Sequence, residues 1–292
     1  MDPGLVAEAA AGARAAATAA GVEIRLLHGA EEMAAAAAAM AAVWGRETDR
    51  PPMDPGLLVA LGHSGNYVSG AFAGARLVGT CAGWFHPPAQ RSLHSHIAGI
   101  LPEVAGRGIG RALKLHQRAW GLEHGVRTIT WTFDPLVARN AYINLTLLGA
   151  DLVEYLPDLY GPMTDGLNAG QASDRLLVSW DLAAATPRSD DPPRGAPAAL
   201  VLADGRPLPA LDALARAREC TVAVPSDIEA LRRTDPGLAT AWRTAQRAVF
   251  TGLLASGWSV TGFSRVAGFR LRLHHELPGH PVPEHDQSDQ GE

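Results

Sequence analysis

The sequence predicts an α/β (α+β) protein, with a mixed, mainly antiparallel sheet carrying helices on both faces and a smaller C-terminal α/β unit after it. Three observations carry this. The segments "NYVSGAFAG", "RLVGTCAGWFHP" and "RSLHSHIAGILP" (66–102) are consecutive strand patterns whose connections are too short for a crossover helix, so they pair antiparallel. Helix and strand patterns alternate around them, which calls for helices on the faces of one sheet. The stretch "AAATPRSDDPPRGAPAA" (183–199) is rich in Pro, Asp and Ser and reads as a linker before a second set of patterns.

Taken in order, residues 1–21 are an alanine-rich helix or arm with little large side chain to bury. "VEIRLLH" (22–28) is a strand and "AEEMAAAAAAMAAVWG" (30–45) a helix stopped by Gly45. "PPMDPGLLVALGHSG" (51–65) holds a short helix with Pro55 in its first turn. After the three strands, a glycine-rich turn feeds a helix ending at Glu123. "VRTITWTF" (126–133) is a strand, and "PLVARNAYINLTLLG" (135–149) a helix closed by Gly149 and begun by Asp134 as its cap. "DLVEYL" and "RLLVSWDL" complete a first domain over 22–182, joined by the polar loop "PDLYGPMTDGLNAGQASD". Residues 200–277 form the small unit: a hairpin turning at Asp204-Gly205, the strand "ECTVAVP", a helix interrupted near Pro236, and two strands. Its long helix has apolar positions at helical spacing, suited to packing or to a homodimer face. Residues 278–292 read as a disordered tail.

Bulk composition narrows the function. A net charge of −5 gives no basic field for nucleic acid, and of the 25 cationic side chains only Lys114 is a lysine. Cys81 and Cys220 form neither a disulfide framework nor a CxxC metal motif. The longest apolar run, residues 33–44, is too short to span a bilayer, and the N-terminus lacks signal-peptide character. The reading is a soluble cytoplasmic protein without a membrane partner.

The chemistry-bearing stretch is "ILPEVAGRGIGRALKLHQRAWG" (100–121). A glycine turn between a strand and a helix exposes unpaired N–H groups at the helix's positive end, an anion site. Val104, Gly106, Gly108, Ile109 and Gly110 supply backbone donors, and Arg107 and Arg111 supply charge. A ligand-free glycine cap is the competing reading. An antiparallel hairpin upstream and the lack of a downstream acidic residue argue against a dinucleotide fingerprint, and the missing Gly-Lys-Ser/Thr ending excludes a P-loop. On the strand before the turn, "HSH" places His94 and His96 on one face and Ser95 on the other. Neutral histidine suits proton removal from an amine. Ordinary core or surface histidines, or a metal pair lacking a third ligand, are the alternatives.

"ILPEVAGRGIGRAL" resembles the acyl-CoA-binding motif of the GNAT superfamily of N-acyltransferases, and the strand order over about 22–182 is similar to theirs. The later segments 131–150 and 155–182 resemble a branch of predicted acetyltransferases with a C-terminal extension, some thought to be N-succinyltransferases. The resemblance implies a turn that cradles the diphosphate of acetyl-CoA or another acyl-CoA, and a splayed strand pairing with the pantetheine arm near Ile100 and Leu101. It implies Asn140 as a further cofactor contact and His94 where many relatives carry a glutamate base, with His96 second. The implied acceptor is a small-molecule amine such as an amino acid, attacking directly in a ternary complex. Two departures stand out. Ala105 replaces the motif's Arg or Gln, and Leu145 replaces the tyrosine that often protonates the thiolate, so Tyr160, Tyr142, Tyr155 or water would substitute. In the 157–175 loop Tyr160, Asp165, Asn168, Asp174 and Arg175 could line the acceptor side, Arg175 as a bidentate partner for a carboxylate. The alternative is an ordinary capped surface loop. A protein of this fold that binds acyl-CoA without turnover is the competing function.

Overall fold

The computed structural model describes residues 2–161 and 171–274. Twelve strands, β1 (Glu23–Leu26), β2 (Tyr67–Ala73), β3 (Arg76–Phe85), β4 (Ser92–Ile100), β5 (Thr128–Phe133), β6 (Asp151–Leu156), β7 (Arg175–Asp181), β8 (Ala198–Ala203), β9 (Arg206–Pro209), β10 (Glu219–Val222), β11 (Trp258–Ser264) and β12 (Gly268–Leu273), form two sheets. The first is ordered β1-β2-β3-β4-β5-β7-β6 and the second β11-β12-β10-β8-β9. In the first sheet only β4 and β5 run parallel. The mixed, mainly antiparallel sheet read from the sequence is therefore present, as is a second, smaller α/β unit.

Seven α-helices flank the sheets: α1 (Pro3–Ala19), α2 (Gly29–Val43), α3 (Pro55–His63), α4 (Ile109–Glu123), α5 (Ala138–Ala141), α6 (Ile228–Thr234) and α7 (Pro236–Ala255). Helix α2 buries Met33, Ala36, Ala37 and Met40 with Val68, Ala82 and Ile97 of the sheet. Helix α4 lies on the opposite face and presents Ile109, Ala112 and Leu113 to a core shared with Tyr67, Cys81 and Leu93. The alanine-rich N-terminal segment is no loose arm: α1 packs along α4 through Ala9 and Ala13, because methyl side chains let two helices approach closely. Asp54 caps α3 by accepting from Gly56 N (2.7 Å) and Leu57 N (3.2 Å), with Pro55 in its first turn.

Two expectations need correction. The helix expected over 135–149 is α-helical only across α5; Tyr142–Leu147 is wound as a π-helix, in which Leu148 N–H reaches back to Ile143 O. The widened turn lets Thr146 bridge to β11, its hydroxyl donating to Phe263 O (2.6 Å) and accepting from Phe263 N (3.3 Å). The segment expected to be a linker is strapped down: Arg188 donates to the carbonyls of Ala150 and Gly149 (3.0 Å each), and β8 already starts at Ala198. The apolar face of α7, read as packing or a dimer face, is covered by its own chain. Phe250 stacks on Tyr155 of β6 and meets Phe269 of β12 edge-on. The polar tail lies outside the described residues.

Candidate active site

The central feature is a fork between β4 and β5. The two strands are paired only where Ser92, Leu93 and His94 face Thr128, Ile129 and Thr130. Beyond that point β4 continues on β3 and β5 on β7, and the strands part. A bulge opens the fork: Ala82 faces Ile97 while Gly83 faces Ser95, leaving His96 as the extra residue. The gap leads toward the glycine turn.

In that turn Gly106 and Gly108 both take φ of 83°, a left-handed conformation that only glycine adopts without strain. Gly110 stands where a side chain would meet Ile100 Cδ1 at 2.9 Å. The main-chain accounting is uneven. Val104 N–H is taken by Leu101 O (3.1 Å) and Ala105 N–H by Pro102 O (3.2 Å), in a short 3₁₀ turn. Val104 is thus no free donor, contrary to expectation. Leu101 likewise gives its N–H to Val78 O (2.9 Å), so it cannot also donate to a ligand. From Gly106 to Arg111, by contrast, no backbone N–H meets a protein acceptor among the described residues, while Ala112 starts the helical ladder on Gly108 O (3.0 Å). Arg111 Nε is buried with no hydrogen-bond partner, and Arg107 is exposed beside the arc. Unpaired amides, a helix N-terminus and an orphaned guanidinium nitrogen form a receptor for an anion with several oxygens.

At the fork's apex, one face of the sheet carries aromatic and imidazole rings. Trp84, opposite His94 on β3, lies 5.2 Å from the His94 ring and 4.7 Å from the His96 ring, centroid to centroid. The two histidine rings are 5.8 Å apart. His86 completes the group, 6.1 Å from His94, with Nε2 3.1 Å from Thr130 Oγ1. Burial first, then the neighbouring His96, His86 and Lys114, push His94 down to about 4, so its imidazole is neutral at pH 7. Desolvation lowers His96 as well. Among the described residues no three His, Cys, Asp or Glu side chains converge to hold a metal ion. Ser95 turns the other way, toward α4, where its Oγ accepts from Lys114 Nζ at 2.7 Å.

Two residues beyond Thr130, Thr132 Oγ1 is 3.3 Å from the hydroxyl of Tyr160, which is half exposed. Arg175 is buried, its guanidinium 5.6 Å from the Tyr160 ring and its Nη1 on Asp174 O (2.9 Å). Asp165 and Asn168 lie outside the described residues. Asp174 is committed to structure, gripping Arg247 and accepting from Tyr155. Tyr155 therefore cannot serve as the acid: burial and its bond to Asp174 push its hydroxyl up. Tyr142 lies under Arg265, at 4.7 Å, away from the fork. Asn140, half-buried at α5, gives its backbone N–H to Val137, and Leu145 is fully buried.

Asp134, expected only as a helix cap, does more. It accepts from Leu136 N (2.9 Å) and also binds Arg232 (2.5 Å) of α6 and Arg243 (2.7 Å) of α7. Burial pushes its carboxyl up, but the charge and hydrogen bond of Arg243, then Arg232, outweigh this and hold it at about 2. Sequence reasoning missed this junction, and also Trp84, His86 and Thr130. Hairpin register places Trp84 across from His94, a signal that counting outward from the connection at 86–91 could have used.

Residues 32–143 match the model of the acetyltransferase (GNAT) family. The chain is similar in fold to an N-acetyltransferase from Staphylococcus aureus Mu50, at 17% identity over 55% of this chain and 98% of that one, TM-score 0.45. It is also similar to the ribosomal-protein-S18-alanine N-acetyltransferase from Escherichia coli, at 15% identity over 56% of this chain and 96% of that one, TM-score 0.45. A Salmonella typhimurium protein solved with its cofactor acetyl-CoA is 17% identical over 58% of this chain and 99% of that one, TM-score 0.44. No curated protein matches the chain. The stretch that matches the GNAT family model covers β2 to β5, and with them the fork and the glycine turn.

Proposed function

We propose that the protein is an acyl-CoA-dependent N-acyltransferase, with acetyl-CoA or succinyl-CoA as donor and the amine of a small molecule such as an amino acid as acceptor. The observation that carries this is the arc of unpaired amides from Gly106 to Arg111 at the mouth of the β4–β5 fork. The arc holds the diphosphate, aided by Arg107 and Arg111. The unpaired edges of the fork receive the amide-bearing pantetheine arm, with Ile100 at the rim and Asn140 as a further contact. The thioester then reaches the apex beside the imidazoles.

His94 accepts a proton from the attacking amine, and its neutral state at pH 7 leaves the ring lone pair available. His96, 5.8 Å away ring to ring, is the second candidate. Tyr160 and Arg175 line the acceptor side. The amine attacks the thioester directly in a ternary complex.

Isothermal titration with CoA and acetyl-CoA tests the donor site, and free-thiol release with a panel of L-amino acids tests turnover. Removing His94 as His94→Ala lowers kcat about 100-fold with CoA affinity unchanged; undiminished turnover removes His94 from the mechanism. The buried Leu145, standing where relatives often carry an acid, favours a second reading as an acyl-CoA-binding protein without turnover. CoA binding with no thiol release from any amine supports that reading instead.

A further inference from the structure

The face of the fork opposite the histidines holds a buried cation to which the scheme above gives no role. Lys114 projects from α4 and is 7% exposed. Its Nζ donates to Ser95 Oγ (2.7 Å) and Gln117 Oε1 (3.2 Å), and lies 3.9 Å from the centre of the Trp131 ring. Ser95 and Trp131 are the residues immediately after the last paired ones, His94 and Thr130. The ammonium therefore bridges both prongs at the apex of the fork, on the side away from His94. No carboxylate touches it among the described residues. The Cys81 thiol of β3 lies 3.8 Å from Ser95 Oγ, and burial keeps it protonated and neutral. A buried ammonium held only by a hydroxyl, an amide oxygen and a ring lacks a matching charge.

Acyl transfer supplies that charge transiently. We propose that Lys114 is the general acid that protonates the departing thiolate of the acyl-CoA, a step that rests on reading the fork as the acyl-CoA site. The amine lone pair forms the new C–N bond at the thioester carbonyl carbon, and the amine proton passes to His94. As the C–S bond breaks, its electron pair goes to sulfur, and sulfur takes a proton from Lys114 Nζ to leave as the thiol. The neutral lysine regains a proton from solvent. Burial pulls Lys114 down to about 8, close to the range of an alkyl thiol, so this transfer is nearly balanced in energy. The proton source thus comes from α4, not from the π-helical segment where Leu145 sits.

The test compares wild type with Lys114→Met and Lys114→Gln, using acetyl-CoA and its selenoester analogue, whose selenolate leaves without a proton at neutral pH. Thiol or selenol release is followed with the fastest amine of the panel, or with water. With acetyl-CoA, kcat falls about 100-fold or more in both variants. With the selenoester it falls less than about fivefold, because the step no longer needs an acid. CoA affinity, read by titration, stays within about threefold. In wild type, kcat for acetyl-CoA declines as pH rises through about 8, where Lys114 loses its proton, and this limb needs no variant. His94, neutral over that range, does not contribute to it. Equal losses with both esters, or no alkaline limb in wild type, overturn the proposal while leaving the donor site intact. Wild-type protein that binds no CoA overturns both.

Discussion

Two buried clusters of charge adjoin β5, one past its end and one beside it, and they are built differently. At the turn after the strand, Arg232 and Arg243 both reach one carboxylate, Asp134, which also takes the Leu136 N–H. Beside the strand itself, Lys114 reaches a hydroxyl, an amide and an indole and, among the described residues, no carboxylate. The first arrangement joins two parts of the chain and is held in a fixed ionic state. The second keeps a cation available inside the fork. Buried cations that serve architecture come with their anion; one that serves chemistry waits for it.

The largest expected effect breaks the first cluster. Asp134→Ala leaves two guanidiniums buried without their carboxylate and lowers unfolding free energy by about 3–5 kcal/mol in urea. A loss below about 1 kcal/mol would show the junction to be ornamental. Arg243→Met is milder, because Arg232 remains: about 2 kcal/mol.

The Lys114→Met change has the opposite sign. It removes an unmatched charge from the interior and raises stability by about 1 kcal/mol while abolishing most turnover. A clear destabilisation would place Lys114 with the architectural cations. The two clusters also differ in pH dependence. Asp134 sits below its ordinary value in the folded state, so its contribution is present above about pH 4 and is lost as pH falls toward 2. Lys114 also sits below its ordinary value, but here the neutral form is favoured by folding. Its penalty is full below about 8 and disappears as pH rises past the unfolded value, so the stability gain of Lys114→Met shrinks with rising pH. Melting curves at pH 7 and pH 10 check this.

Much of this architecture is legible in the residues. Strand order, the glycine turn, the helix start at Pro55, the interruption at Pro236 and the Asp204-Gly205 hairpin are local features, fixed by spacing and by φ preference. The site is legible only in part. "HSH" gives two histidines, but Trp84 and His86 join them through register across a bulge that alternation alone does not reveal. Val104 fails as a donor because Pro102 tightens the chain into a 3₁₀ turn that uses the amide internally. Lys114 sits on the sheet-facing side of an amphipathic helix, yet its partners come from two other elements. The Asp134 junction spans about a hundred residues of sequence and leaves no local trace.

That junction makes the C-terminal unit a splint. The prong formed by β5 ends in a turn clamped by helices from far downstream. Excising the residues beyond the strap at Arg188 would leave that turn without its clamp.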